Sequence, residues 1–319
     1  MTKPRKHHYL PQFYLRGFST DCESIFQIEK ETGKYYECSI KDTAAIRDFH
    51  EIDGEGVDDP NALEKALAGV ESQQAEALSA LLTDGVSNLD ALGDIVGLLS
   101  MLRMRVPAVK KYLEQSLVSK VRAAAKAMER NGQLPKPPPG VDASLLIDDL
   151  QISVMNWKCL ELMFSMSDNP EALNALGRMR ATIYSAPENQ HFFTSDQPVS
   201  LFHPTIRPIH PIGVGPAVPN VEITLPLSRT TLLMLDHGHG PHLEKVASAE
   251  KVVEFNRRTI ITAQNYIFTG ISPELASAQS RPLKDEVAGF YFDNHRVGTR
   301  VYEAHRFMPV NPKNIKGDA

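Results

Sequence analysis

Between residues 60 and 183 the apolar side chains recur at helical spacing; on either side of that stretch short β-rich runs predominate. Leu63, Leu67, Val70, Leu78 and Leu81 fall on helical steps, and Leu89, Leu92, Ile95, Val96, Leu99 and Leu102 do so again. The flanks carry short β-rich runs bounded by Pro, Gly, Asn or Asp. Runs 24–29 and 34–38 surround Lys30-Glu31-Thr32-Gly33 and predict a hairpin. Runs 182–185, 191–194, 199–202, 221–225, 231–235 and 264–268 predict further strands. A helical middle between strand-rich ends can bury both kinds of apolar face only by packing one on the other. The expectation is an α+β fold: a helical bundle over about 60–183 on a mainly antiparallel sheet formed by N- and C-terminal strands. Residues 1–270 form one composite domain in this reading, and 271–319 a C-terminal extension with a hairpin from 289–292 and 299–302.

Local punctuation sets the expected boundaries. Asp59-Pro60 suits a helix start, and Pro107 ends one helix and opens another running to about Arg130. The stretch 131–143 is rich in proline and predicts an exposed connector, followed by helices over 144–165 and 169–179. Residues 243–262 read as one helix. The loop 203–220 holds five prolines and follows a β run, so it reads as a stiff flap able to reach over a cleft. Hydrophobic residues make up 42% of the 319, enough for a core, and the formal net charge of -5 excludes a general basic nucleic-acid coat. Cys22, Cys38 and Cys159 form no CxxC pair, which argues against a cysteine metal site and for a reducing, cytoplasmic setting. The first residues lack the apolar stretch of a secretory signal, and no run approaches the ~20 apolar residues of a membrane span.

The opening His7-His8-Tyr9-Leu10-Pro11-Gln12-Phe13-Tyr14-Leu15-Arg16-Gly17-Phe18 closely resembles the start of the bacterial family DUF4238, a domain of unknown function. Leu102-Arg103-Met104-Arg105-Val106-Pro107 is similar to that family's central helix motif. Phe192-Phe193-Thr194-Ser195-Asp196-Gln197-Pro198-Val199 is similar to its second strong block. Leu225-Pro226-Leu227-Ser228 and Glu254-Phe255-Asn256 match weaker blocks in the same order, so the resemblance covers about residues 5–268. It implies one recurring α+β architecture and supplies no activity.

The candidate site residues come from these blocks. His7 and His8 point in different directions, so one of them is expected to reach a shared site as acid, base or metal ligand. Were the segment helical, His8, Gln12 and Arg16 would share a face at four-residue steps. The alternative is that His8 and Gln12 bond buried backbone groups and lock the N-terminus down. Asp196 follows a strand end, where a carboxylate serves as ligand or base, or simply forms a turn. Arg103 and Arg105 lie two apart on an apolar helix; one is expected to face inward, toward a carboxylate, phosphate or carbonyl. In the proline loop, Arg207 and His210 are expected to contact ligand.

Several lures fail on their residues. His237-Gly238-His239-Gly240-Pro241-His242 has Pro where the metallo-hydrolase motif HxHxDH needs Asp, and Ser195 lacks the GxSxG context. Glu51-Ile52-Asp53-Gly54 begins like a calcium loop, but its twelfth position is Ala62; an acidic turn before a helix N-terminus explains it. His50-Glu51 is not HExxH, because Gly54 stands at the second His position. The leading expectation is a metal-assisted or His-dependent hydrolase of phosphate esters acting on a nucleotide or nucleic acid. Its catalytic residues would be His7, His8 and Asp196. Gln12, Arg16, Arg103, Arg105, Arg207 and His210 would bind substrate, and any divalent metal ion would sit on His8 and Asp196. The rival is a non-catalytic module for a protein partner, whose polar motifs are structural and whose helical middle is the partner surface.

Overall fold

The computed structural model describes residues 6–54, 57–134, 147, 151–206, 213–297 and 300–310. The chain opens with β1 (Lys6–His8) and then α1 (Gln12–Arg16). Pro11 separates them, so His8 lies on a strand, off the helical face of Gln12 and Arg16. The predicted hairpin forms as β2 (Ser24–Glu29) and β3 (Tyr35–Ser39). β4 (Ala45–Arg47) returns antiparallel to β1, with His7 opposite Ile46.

The helical middle holds α2 (Ala62–Asp84), α3 (Leu89–Met104), α4 (Pro107–Arg130), α5 (Asn156–Ser167) and α6 (Pro170–Gly177). Pro107 is at the first turn of α4, after an extended Val106, as the sequence predicts. Asn88 caps α3 and Asn169 caps α6 through the amides of Ala91 and Ala172. α3 is central: Ile95, Leu98, Leu99 and Leu102 are each 0% exposed, and burying each stabilises by about 1.5–3 kcal/mol. The acidic turn does cap a helix, though not the next one in sequence: both carboxylate oxygens of Asp53 accept the first amides of α5, Asn156 and Trp157, at 2.8 Å.

The remaining strands are β5 (Arg180–Ser185), β6 (Thr194–Ser195), β7 (Ser200–Phe202), β8 (Glu222–Pro226), β9 (Thr231–Asp236) and β10 (Leu243–Val246). α7 (Ala249–Thr262) and β11 (Tyr266–Thr269) follow, then α8 (Pro273–Ser280), β12 (Gly289–Val297) and β13 (Arg300–Met308). The expected helix over 243–262 is thus a strand plus a helix. β10 pairs parallel with β5, and Ser248 caps α7 through the amide of Lys251. Besides the two-stranded pairs β1–β4 and β12–β13, the described strands make two larger sheets: β3-β2-β11-β6, entirely antiparallel, and β10-β5-β9-β8-β7, antiparallel except for its first pair. The first joins the N-terminal hairpin to late strands. One apolar core runs from α2, α3, α4 and α5 into the second sheet. The C-terminal hairpin β12–β13 packs back onto this body, with Phe290 near Tyr112 of α4 and Phe307 buried. Among the described residues no helix is long and apolar enough to cross a membrane.

Candidate functional site

Strand alternation decides between the two histidines: His7 is 1% exposed and His8 is half-buried. His7 lies beside His50, which follows β4 on the connection to α2; the rings stack at 5.8 Å with 10° between planes. Nδ1 of His7 accepts the backbone N–H of His50 at 2.9 Å. The His50 ring lies between two side chains. Its Nδ1 meets Glu64 of α2, and its Nε2 faces Nε of Arg105 at 3.2 Å. Arg105, just past the end of α3, also donates to Glu71 at 2.7 Å and to the carbonyl of His8. Burial pushes His50 down to about 4, against the pull of Glu64. Burial acts to raise Glu64, but the bond from His50 and the nearby charges hold it below the usual range. Glu64 and Glu71 carry the cluster to the surface, with side chains 28% and 25% exposed.

Asp196 is built into a different place. Its carboxylate accepts the amides of Gln264 at 2.9 Å, Asn265 at 2.8 Å and Tyr266 at 3.2 Å, on the turn between α7 and β11. Lys30 grips the other side of that turn. Its Nζ donates to the carbonyls of Ile261 at 3.1 Å, Ala263 at 2.7 Å and Glu286 at 2.8 Å. Burial raises Asp196 to about 6 against those amides and Lys30, and lowers Lys30 to about 8. None of the hydrogen bonds of Asp196 reaches His7 or His8.

The segments that carry the sequence resemblance interlock. Tyr14 bonds Thr194 at 2.7 Å and the carbonyl of Pro226 at 2.9 Å. The amide of Arg229 donates to Gly17, where an added Cβ would lie 3.0 Å from the carbonyl oxygen of Leu227. Asn256 accepts the amide of Phe193 at 2.9 Å and donates to the carbonyl of His191 at 2.8 Å. The sequence model of a family described as a protein of unknown function, DUF4238, matches residues 6–272. The chain belongs to the DUF4238 family. No curated protein and no solved structure is significantly similar to it.

In this DUF4238 chain the expected site residues divide. His7 and Arg105 meet in one cluster, together with His50, Glu64 and Glu71. Gln12 accepts from Arg16 at 3.3 Å on the exposed face of α1, apart from His8. The carbonyls of Ile40 and Lys41 face the His8 ring, and burial lowers its pKa. Both central arginines are buried, where one was expected. Arg103 lies under the rings of Phe307 at 4.9 Å and Phe290 at 5.5 Å, and burial lowers it to about 10. Arg207 and His210 lie outside the described residues. Of the described part of their loop, His203 bonds the carbonyl of Pro219, and the amide of Val214 donates to Phe307 on β13. His237 and His242 are tied to the carbonyl of Pro216 and the amide of Ala181, as suits a surface loop.

His50, Glu64, Glu71 and Lys30 are the residues that sequence reasoning passed over, His50 entering it only as part of a failed HExxH motif. Glu64 and Glu71 are seven apart, hence on one face of α2, and a buried Arg105 demands a carboxylate; those two signals together pointed to them. Among the described residues, His7, His50 and Glu64 form a set whose donor atoms all lie within 4.8 Å of one another. Two histidines and a carboxylate suit zinc or iron. The hydrogen bonds argue otherwise. A neutral imidazole has one lone pair to give. His7 gives its own to the amide of His50, and His50 gives its own to Nε of Arg105, a group that only donates. The proton of His50 then sits on Nδ1 and goes to Glu64, and that of His7 sits on Nε2, which has no partner. As arranged, the cluster is a chain of donors and acceptors that locks β1 to α2 and α3.

Proposed function

We propose that this DUF4238 protein is a non-catalytic interaction module whose strong polar motifs hold the fold together and whose helical layer meets a partner protein. One observation carries the reading: Arg105 of the central helix motif and Asp196 of the second strong block both spend their polar groups on partners inside the fold. Arg105 holds His50, Glu71 and the carbonyl of His8, and Asp196 holds three amides. Such groups matter to stability, because each one left unpaired costs about 1–3 kcal/mol. The three cysteines are free, in keeping with a cytoplasmic protein.

A panel of RNA, DNA and nucleotides with Mg²⁺, Mn²⁺ and Zn²⁺ is expected to show no turnover, and His7→Ala and Asp196→Ala are expected to lower the melting temperature. Turnover that disappears in either variant while the melting temperature holds would overturn this reading. It would establish the second one, a phosphate-ester hydrolase acting on nucleotides or nucleic acid. That alternative is favoured by the buried, unpartnered Nε2 of His7 beside the partly exposed Glu64.

A further inference from the structure

Among the described residues four arginines are buried: Arg103, Arg105, Arg257 and Arg258. Three of them meet a carboxylate. Arg105 donates to Glu71 at 2.7 Å, Arg257 to Glu254 at 2.8 Å, and Arg258 to Glu222 at 2.6 Å. Arg103, 7% exposed, finds no hydrogen-bond or ion-pair partner among the same residues. Its Nε is shut off from solvent without an acceptor, whereas the two terminal nitrogens, equally unbonded, are not shut off. The open side of the guanidinium is therefore its two-nitrogen end.

Aromatic rings border it. Phe290 and Phe307 stand edge to face at 5.0 Å with 85° between planes, and the guanidinium lies over both. Tyr112 of α4 packs on Phe290 at 5.2 Å. Ring faces answer part of the charge but offer no lone pair, so the N–H groups stay without acceptors. Burial alone lowers the pKa of Arg103, and no neighbouring charge contributes to the shift. An unpaired charge at this depth costs stability, and a chain that only needed to fill the space would gain from an apolar residue there.

We propose that the two-nitrogen end of Arg103 binds the carboxylate of a small organic acid whose apolar body lies against Phe290 and Phe307. A planar carboxylate matches the guanidinium fork with two parallel hydrogen bonds. Charge count selects it over phosphate: a monoanion cancels the one unpaired cation, whereas a phosphate dianion would leave a second negative charge desolvated. The rings supply a contact surface that an inorganic ion cannot use. The site shares no hydrogen bond with the histidine cluster or the Asp196 turn, and the proposal goes beyond the interaction-module reading without resting on it.

The test is isothermal titration of the full chain with sodium benzoate and sodium hexanoate, with benzyl alcohol and inorganic phosphate as controls. At least one of the two acids is expected to bind with a Kd of about 1 mM or tighter, and both controls at least about tenfold more weakly. Arg103→Met should weaken that binding by about tenfold or more and keep or raise the melting temperature, because it deletes an unpaired buried charge. Binding by neither acid, binding by benzyl alcohol or phosphate as tight as the acid's, or undiminished binding by Arg103→Met overturns the proposal. So does a melting temperature that falls in Arg103→Met, or failure of that variant to fold, since the guanidinium is then a structural cation held by its rings. None of these results touches the interaction-module reading, which only substrate turnover removes.

Discussion

The histidine cluster and the Asp196 turn are both buried and polar, yet they are built from different materials. The first is mostly side chain on side chain: His7, His50, Glu64, Arg105 and Glu71 come from β1, two loops and α2. The second is side chain on backbone, with Asp196 holding amides of the turn after α7, and Lys30 holding carbonyls beside that turn and the carbonyl of Glu286. In the first, His50, Glu64, Arg105 and Glu71 each bond another side chain of the cluster, so one deletion strands several charged or polar groups. In the second, each charged side chain ends on peptide groups that are present whatever the sequence. Burial and a shifted pKa do not by themselves mark a reactive site; what the remaining lone pairs and protons can reach does.

The largest expected effect breaks the first centre. Arg105→Met leaves His50, Glu71 and the His8 carbonyl without their donor and is expected to destabilise by about 3–5 kcal/mol in urea unfolding. Arg105→Lys should recover little, because one ammonium cannot reach the positions a guanidinium fork holds.

The pH dependence sharpens the contrast, because the two centres titrate with opposite signs. His50, lowered from 6.5 to about 4, binds fewer protons folded than unfolded in that window, so its contribution to stability is lost as pH falls from 6.5 toward 4. Asp196, raised from 3.8 to about 6, binds more protons folded, so its contribution is lost as pH rises through that range. Each contribution is at most about 3 kcal/mol, and between pH 4 and 6 they oppose one another. Relative to the parent protein, His50→Gln should lose stability as pH rises over that window, since only Asp196 then titrates. Asp196→Asn should gain on the parent over the same window. Denaturant melts at pH 4, 5, 6 and 7 read both slopes, and parallel curves for all three proteins would refute the assignment of the two shifts.

Lys30→Met removes one charged donor from three carbonyls and is expected to cost about 2 kcal/mol, less than Arg105→Met, because Asp196, the charge nearest it, keeps its three amides. The smallest expected effect is at the seam between motif blocks. Tyr14→Phe loses the bonds to Thr194 and Pro226 and should destabilise by about 1 kcal/mol by the same measurement.

Periodicity alone made the helical middle legible, because a 3.6-residue apolar repeat needs no partner to be recognised. The N-terminal hairpin and Pro107 at a helix start were equally readable, since turn chemistry and a fixed φ are local. The strand 243–246 was not: its four residues fit either state, and only the parallel pairing with β5 decides it. The site divides in the same way. Residue type placed His7, Arg105 and Asp196 among the groups needing partners when buried, and adjacency meant that His7 and His8 point in different directions; the strand that turns His7 inward appears only in the structure.

Which partner each found was decided by the tertiary structure. Arg105 reaches His50 and Glu71 across 55 and 34 positions of sequence, and Asp196 reaches the 264–266 turn across about 70. No local rule encodes such contacts, because a side chain meets distant groups only after the sheets and helices have packed. The sequence specifies which groups cannot be buried alone. The packed fold specifies whether their last lone pair is left for a ligand or given to the backbone, and in both centres it is given to the protein itself.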